Sequence, residues 1–154
     1  IELSIYGPVD DLNYWNKCLI LKNKLSSNIK LSIGGEVLPK DLANIFAKHD
    51  LFLLPTRGEN FGHIIIECLS SGLPAIISDK TLWKADKEGG LETLPLVEEI
   101  WVKKIMNWSK FDNLIFERKR QSALDYAISY NDNNLPLQNN KELFNSVLNN
   151  SNNI

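Results

Sequence analysis

Polar and apolar positions alternate along Glu2-Leu3-Ser4-Ile5-Tyr6 and stop at Gly7-Pro8, the pattern of a strand running into a turn. Asp10 and Asp11 then offer an acidic cap to a helix whose apolar members Leu12, Trp15, Leu19 and Leu21 recur at near-helical spacing. Ile29-Lys30-Leu31-Ser32-Ile33 alternates again as far as Gly34-Gly35, and Pro39 opens a helix carrying Leu42, Ile45 and Phe46. Leu51-Phe52-Leu53-Leu54 is apolar throughout and ends at Pro55, as a parallel strand covered on both faces does. Residues 61–71 predict a helix closed by Gly72 in a left-handed cap with Pro74 just beyond, and Ala75-Ile76-Ile77-Ser78 predicts another buried strand. Past Gly89-Gly90 the alternation weakens, and residues 97–108 and 112–130 predict two consecutive helices. Strands and helices taking turns, without any longer internal repeat, predict a doubly wound α/β fold: a parallel sheet with strands near Leu3, Leu31, Phe52 and Ile76 and helices on both faces.

Composition adds limits. The 154 residues are 44% hydrophobic and 23% charged, the profile of one globular domain. Seventeen Lys and Arg against nineteen Asp and Glu leave a net charge of -2, so no basic field exists to hold a polyanion, and nucleic acid is excluded as the main partner. No apolar run approaches the roughly 18–20 residues of a membrane span. Cys18 and Cys68 are too few for a disulfide framework and lack metal-ligand spacing, which fits a reducing cytoplasm. Ten of the 24 residues from Asn131 onward are Asn, which disfavours helix except for an amphipathic turn or two over 141–148. The expected organisation is one domain over residues 1–148 and a frayed tail over 149–154. The opening at Ile1 reads as a piece of something longer.

In a doubly wound sheet, ligands gather at the loops that follow the carboxyl ends of the strands. The richest of these loops is Pro55-Thr56-Arg57-Gly58-Glu59-Asn60-Phe61-Gly62-His63, leading from a buried strand straight into a helix. Gly58 and Gly62 permit close approach of a ligand, and free amides in a helix's first turn attract phosphate. Glu59 precedes the helix while Glu67 lies on it, so two carboxylates can serve different parts of one ligand. His63 and Glu67 share a face at i, i+4, with Ile65, Cys68 and Leu69 free to turn to the core. Taken singly these features are ordinary: Asn60 capping the helix, Glu59 favouring its positive end, His63 and Glu67 as a surface pair.

Together they are more specific. The segment from Glu59 to Glu67, followed by Ser71-Gly72-Leu73-Pro74-Ala75, resembles the E-x7-E signature of glycosyltransferase family 4, the group 1 glycosyltransferases. Tyr6-Gly7-Pro8-Val9, Gly35-Glu36-Val37-Leu38-Pro39, His49-Asp50-Leu51-Phe52-Leu53-Leu54-Pro55-Thr56 and Ser78-Asp79-Lys80-Thr81-Leu82-Trp83 resemble further family landmarks in the family's order. The resemblance implies the carboxyl-terminal, donor-binding half of a GT-B enzyme, with a Rossmann-like parallel sheet that lacks its first strand. It also implies roles. Glu59 would be the catalytic-site carboxylate that contacts the donor sugar, and Glu67 would bind ribose hydroxyls. Gly58 and the backbone of Asn60, Phe61 and Gly62 would line the sugar, the amides of His63, Ile64 and Ile65 would meet the diphosphate, and Gly35, Val37 and Leu38 would touch the nucleobase. The implied donor is a nucleotide sugar, transferred with retention, with no cofactor and no metal; the absence of a D-x-D triplet agrees with that. The implied acceptor is a glycan or a lipid-linked acceptor, held through an amino-terminal domain that this sequence does not contain. Cell-surface polysaccharide synthesis is the implied setting, in the cytoplasm or at the inner membrane face, where peripheral membrane association of the parent enzyme would place it.

The family normally carries an Arg and a Lys after its first strand, and this sequence opens at what would be strand two. Cys68, Leu82 and Leu91 stand where Ala, Pro and Trp are usual. The fragment alone is accordingly expected to be inactive, and two rivals stay open: a non-catalytic nucleotide-sugar-binding or interaction module, and a nucleotide-sugar epimerase of the same architecture. Other residues read as structural. His49 ends a helix, Cys68 faces the core, Trp15, Trp101 and Trp108 anchor helices, and Glu117-Arg118-Lys119-Arg120 is the wet face of a long helix. Ser70 and Ser71 lack the surroundings of a hydrolase nucleophile. Trp83, after a rim strand, fits either role.

Overall fold

The computed structural model describes residues 1–132. The elements run β1 (Glu2–Tyr6), α1 (Leu12–Lys22), β2 (Lys30–Gly35), a 3₁₀ turn (Pro39–Asp41) leading into α2 (Leu42–Phe46), β3 (Phe52–Leu54), α3 (His63–Ser70), β4 (Ala75–Ser78), β5 (Leu91–Leu94), α4 (Glu98–Trp108) and α5 (Asn113–Asp132). The expected tail over 149–154 and the turn over 141–148 lie outside the described residues.

Every strand pairing among the described residues is parallel. β4 is the centre of a three-stranded sheet, between β3 and β5, and all four of its residues are buried. Ala75 and Ile77 point into a cluster with Ile65, Cys68 and Leu69 of α3 and Ala123 and Ala127 of α5. Ile76 points the other way, into a cluster with Trp101 and Trp108 of α4. Helices therefore cover both faces, as a strand apolar on both sides requires. Each fully buried aliphatic side chain here, such as Ile65, Leu69, Ile76 or Ile77, contributes about 1.5–3 kcal/mol relative to exposure. Gly90 lets α5 lie directly on the sheet: a Cβ there would meet the Ala123 backbone nitrogen at 2.4 Å.

The expected α/β architecture is present, with two differences in the sheet. Hydrogen bonding divides the strands into a pair, β1 with β2, and the β3-β4-β5 triple. The pattern also does not predict β5, because Leu91-Glu92-Thr93-Leu94 does not alternate. Its two leucines serve opposite clusters, and Glu92 is held by Lys104 and by Trp108 Nε1–H at 3.3 Å.

The amino-terminal pair packs less than its pattern suggests. Asp11 caps α1 as expected, its Oδ1 accepting from the amides of Asn13 and Tyr14 at 2.8 and 3.0 Å. Yet α1 has no buried residue: Leu12 and Leu21 are exposed, and Trp15 and Leu19 only half-covered. Leu3 and Ile5 pair with Leu31 and Ile33, but Leu3, Ile5 and Ile33 remain exposed. No residue before Phe46 is buried. An apolar pattern directs burial only where a second layer covers it, and among the described residues none covers this one. β3 likewise has no strand on the edge away from β4 among the described residues. Unpaired parallel edges beside exposed aliphatics favour association with other chains. Sedimentation velocity over a rising concentration series is expected to show self-association that Ile5→Lys reduces, with unfolding free energy changed by no more than about 0.5 kcal/mol. Monomeric sedimentation at all concentrations would contradict this.

Candidate functional site

The loop after β3 is stiffened from within. Thr56 Oγ1 donates to the Gly58 carbonyl at 2.6 Å and accepts from the Gly58 amide at 3.2 Å. Glu59 is exposed, and its Oε1 accepts from the Asn60 amide at 3.1 Å. The chain then turns through Gly62, whose φ of 69° and ψ of 59° are left-handed. A Cβ on Gly62 would meet Glu59 Cγ at 2.9 Å and Ile65 Cδ1 at 2.8 Å, so the Glu59 side chain folds back over this glycine.

That turn starts α3 at His63, two residues later than the pattern suggests, and makes Gly62 rather than Asn60 the N-cap, with no side-chain cap. The amides of His63 and Ile64 consequently have no acceptor among the described residues. The Ile65 amide, expected beside them, donates to the Gly62 carbonyl at 2.8 Å. Two unpaired donors thus sit at the positive end of α3. Glu67 is exposed one turn on, and no ion pair joins it to His63 among the described residues. Ile65, Cys68 and Leu69 face the core as expected, with Ile64 half-buried against it. Gly58, Glu59, Asn60, Phe61, Gly62, His63, Ile64, Ile65 and Glu67 therefore form one loop-and-helix unit.

Gly35, Val37 and Leu38 lie one element away. The Gly7 amide donates to the Gly35 carbonyl at 2.8 Å, tying together the loops after β1 and β2. Val37 is half-buried and Leu38 exposed. α2 touches both the 3₁₀ turn that follows Leu38 and α3, and so links the two groups.

The residues read as structural are mostly so. His49 is half-buried, with Nδ1 donating to the Ile45 carbonyl at 2.7 Å. Burial pushes the Cys68 thiol far up from its ordinary value, and Sγ–H donates to the Leu73 carbonyl, which leaves no thiolate for nucleophilic work. Trp101 and Trp108 are buried anchors, whereas Trp15 is only half-covered. The charge run on α5 is half structural. Arg120 donates to the His49 carbonyl at 3.0 Å and to Asp50 at 3.2 Å, and Lys119 to the Glu88 carbonyl at 2.9 Å.

Two further features lie outside the residues that the sequence pattern marks. A cavity of about 710 Å³ beyond β5 is lined by Lys87, Lys104, Lys110, Lys119 and Trp108, away from the signature loop. Ser78 and Trp83 bond to that loop, and Tyr126 and Tyr130 of α5 lie against the Trp83 ring; a tryptophan after a rim strand is the one signal of this in the sequence. Among the described residues no cluster of His, Cys, Asp and Glu is arranged to hold a metal ion.

The profile of the family described as "Glycosyl transferases group 1" matches residues 1–105. The chain belongs to the group 1 glycosyl transferases. Mannosylfructose-phosphate synthase of Agrobacterium fabrum (strain C58 / ATCC 33970) is 39% identical over 49 residues, a match covering 32% of this chain and 11% of that protein. This group 1 chain thus corresponds to a small part of that relative's length. Its fold matches the crystal structure of the C-terminal domain of the group 1 family glycosyl transferase LpcC from Francisella tularensis, with a TM-score of 0.50 and 17% identity, covering 83% of this chain and 84% of that one. That likeness speaks for the fold, the carboxyl-terminal half of a GT-B architecture.

Gly62→Ala tests the turn on which the site is built. With a left-handed φ and two close neighbours, the substitution is expected to cost about 1–3 kcal/mol in denaturant unfolding. A change near zero would show that the turn relaxes freely.

Proposed function

We propose that this chain binds the activated donor, a nucleotide sugar, for a transfer that retains anomeric configuration without a bound metal. One observation carries this reading: two unpaired amides at the positive end of α3, His63 and Ile64, lie between Glu59 before the helix and Glu67 on it. The amides and the helix dipole suit a diphosphate, and they favour it more as charge builds on the leaving group. Glu59 would face the sugar, where positive charge develops at the reacting carbon. Glu67 would accept from ribose hydroxyls, and Gly35, Val37 and Leu38 would meet the base. The acceptor, a glycan or lipid-linked sugar of polysaccharide synthesis, would come from a second domain. No helix among the described residues is long and apolar enough to cross a membrane.

The open, exposed face predicts weak binding by this chain alone, in the millimolar range of about -4 kcal/mol. In an NMR titration with uridine and guanosine diphosphates, the amides of Asn60 to Ile64 are expected to shift first, equally with and without magnesium. Glu67→Ala should weaken this binding, while Glu59→Ala should not. Binding that requires magnesium, or shifts confined to residues outside the loop, would refute the assignment.

A further inference from the structure

Backbone pairing between β3 and β4 ends at Leu54 and Ile77, but the two chains do not part there. Ser78 Oγ–H, fully buried, donates to the Thr56 carbonyl at 2.6 Å. Trp83 Nε1–H, on a side chain 6% exposed, donates to the Phe61 carbonyl at 2.6 Å. Both bonds join residues 22 apart in sequence. The segment after β4 therefore runs alongside the loop after β3 and grips it at both ends by side chains, with Gly58, Glu59 and Asn60 between the two grips.

The gripping segment is itself fixed by α5. Tyr130 stacks on Trp83 with ring centroids 4.7 Å apart and planes at 27°, and Tyr126 Oη–H donates to the Lys84 carbonyl at 2.9 Å. Phe61 packs edge-on to Trp83 at 6.0 Å and to Tyr130 at 6.4 Å, and the His63 ring is 4.6 Å away. A buried tryptophan needs a partner for its N–H, but many carbonyls of the core would serve. This one sits immediately before the left-handed turn at Gly62, so its position sets where Glu59 stands relative to the α3 amides.

Resting on the donor-site reading above, we propose that Trp83 and Ser78 are positioning residues that hold the Glu59 loop in register with the amino end of α3. Tyr126 and Tyr130 make the last turns of α5 part of that support. The sugar end of a donor depends on the loop, whereas a bare diphosphate depends on the helix amides, and this separates positioning from mere stability.

The test uses the ¹⁵N-labelled chain and its Trp83→Phe and Ser78→Ala variants; the first keeps an aromatic ring, though a smaller one, and loses the donor, and the second loses only a hydroxyl. Uridine diphosphate glucose, adenosine diphosphate glucose and guanosine diphosphate mannose are titrated beside inorganic pyrophosphate. In both variants the backbone order parameters of Gly58 to Gly62 are expected to fall from the rigid range near 0.85 toward about 0.6, with α3 and β4 unchanged. The dissociation constant of the sugar nucleotide that binds should rise about tenfold, and that of pyrophosphate less than twofold. Unchanged order parameters, or equal weakening of both ligands, would overturn the proposal. A wild-type chain that binds pyrophosphate but no sugar nucleotide would count against the donor reading instead, and the order parameters would still decide the clamp. Should Trp83→Phe not fold, Ser78→Ala decides.

Discussion

Burial of β4 on both faces is the constraint from which the rest of the structure follows. A four-residue parallel strand with no solvent-facing side must pair on both edges and be covered by helices above and below. β3 and β5 supply the edges, α3 and α5 one cover, and α4 the other. Because strands in such a sheet all point one way, their carboxyl ends bring the Gly58–Glu67 loop and the Ser78–Trp83 segment to one rim. The site is a consequence of that packing, placed where the buried strand ends and its neighbour's loop can still be held.

The two parts of the chain differ in what holds them. From Phe46 onward, nearly every large apolar side chain of the sheet and of α3 finds a cluster, and buried indole and hydroxyl groups find partners. Before Phe46, backbone pairing of β1 with β2 and the cap at Asp11 do most of the work; Leu3, Ile5, Leu12, Leu21 and Ile33 stay exposed, and no aliphatic side chain is fully buried. Local opening is therefore expected to be cheapest in the β1-α1-β2 unit. The loop that would meet a nucleobase hangs from this softer unit, while the carboxylates and amides of the signature hang from the rigid one.

Much of this was legible in the sequence, for identifiable reasons. The runs Leu51–Leu54 and Ala75–Ile77 carry no polar residue, so they left few alternatives to buried strands, and Gly72 marked the end of α3 by its left-handed cap, with a φ of 71°. The start of α3 was misplaced because Asn60 is a favoured cap, whereas the tertiary turn at Gly62 decides the geometry. β5 was missed because its two leucines, three apart and serving opposite clusters, show no strand period. Leu3, Ile5 and Leu12 carried an apolar pattern that burial does not honour, since a pattern records which face is apolar and not whether another layer covers it. The roles of Ser78 and Trp83 are hydrogen bonds to distant carbonyls, which no spacing in the sequence encodes.

The arrangement of a loop carboxylate, two helix-end amides and a helix carboxylate is tested most directly by a crystal structure of the chain soaked with a sugar nucleotide. The diphosphate should lie within hydrogen-bond distance of the His63 and Ile64 amides, with the sugar toward Glu59 and the ribose toward Glu67. Density for the diphosphate among Lys87, Lys104, Lys110 and Lys119 in the cavity beyond β5, with the α3 amides left to water, would contradict the account.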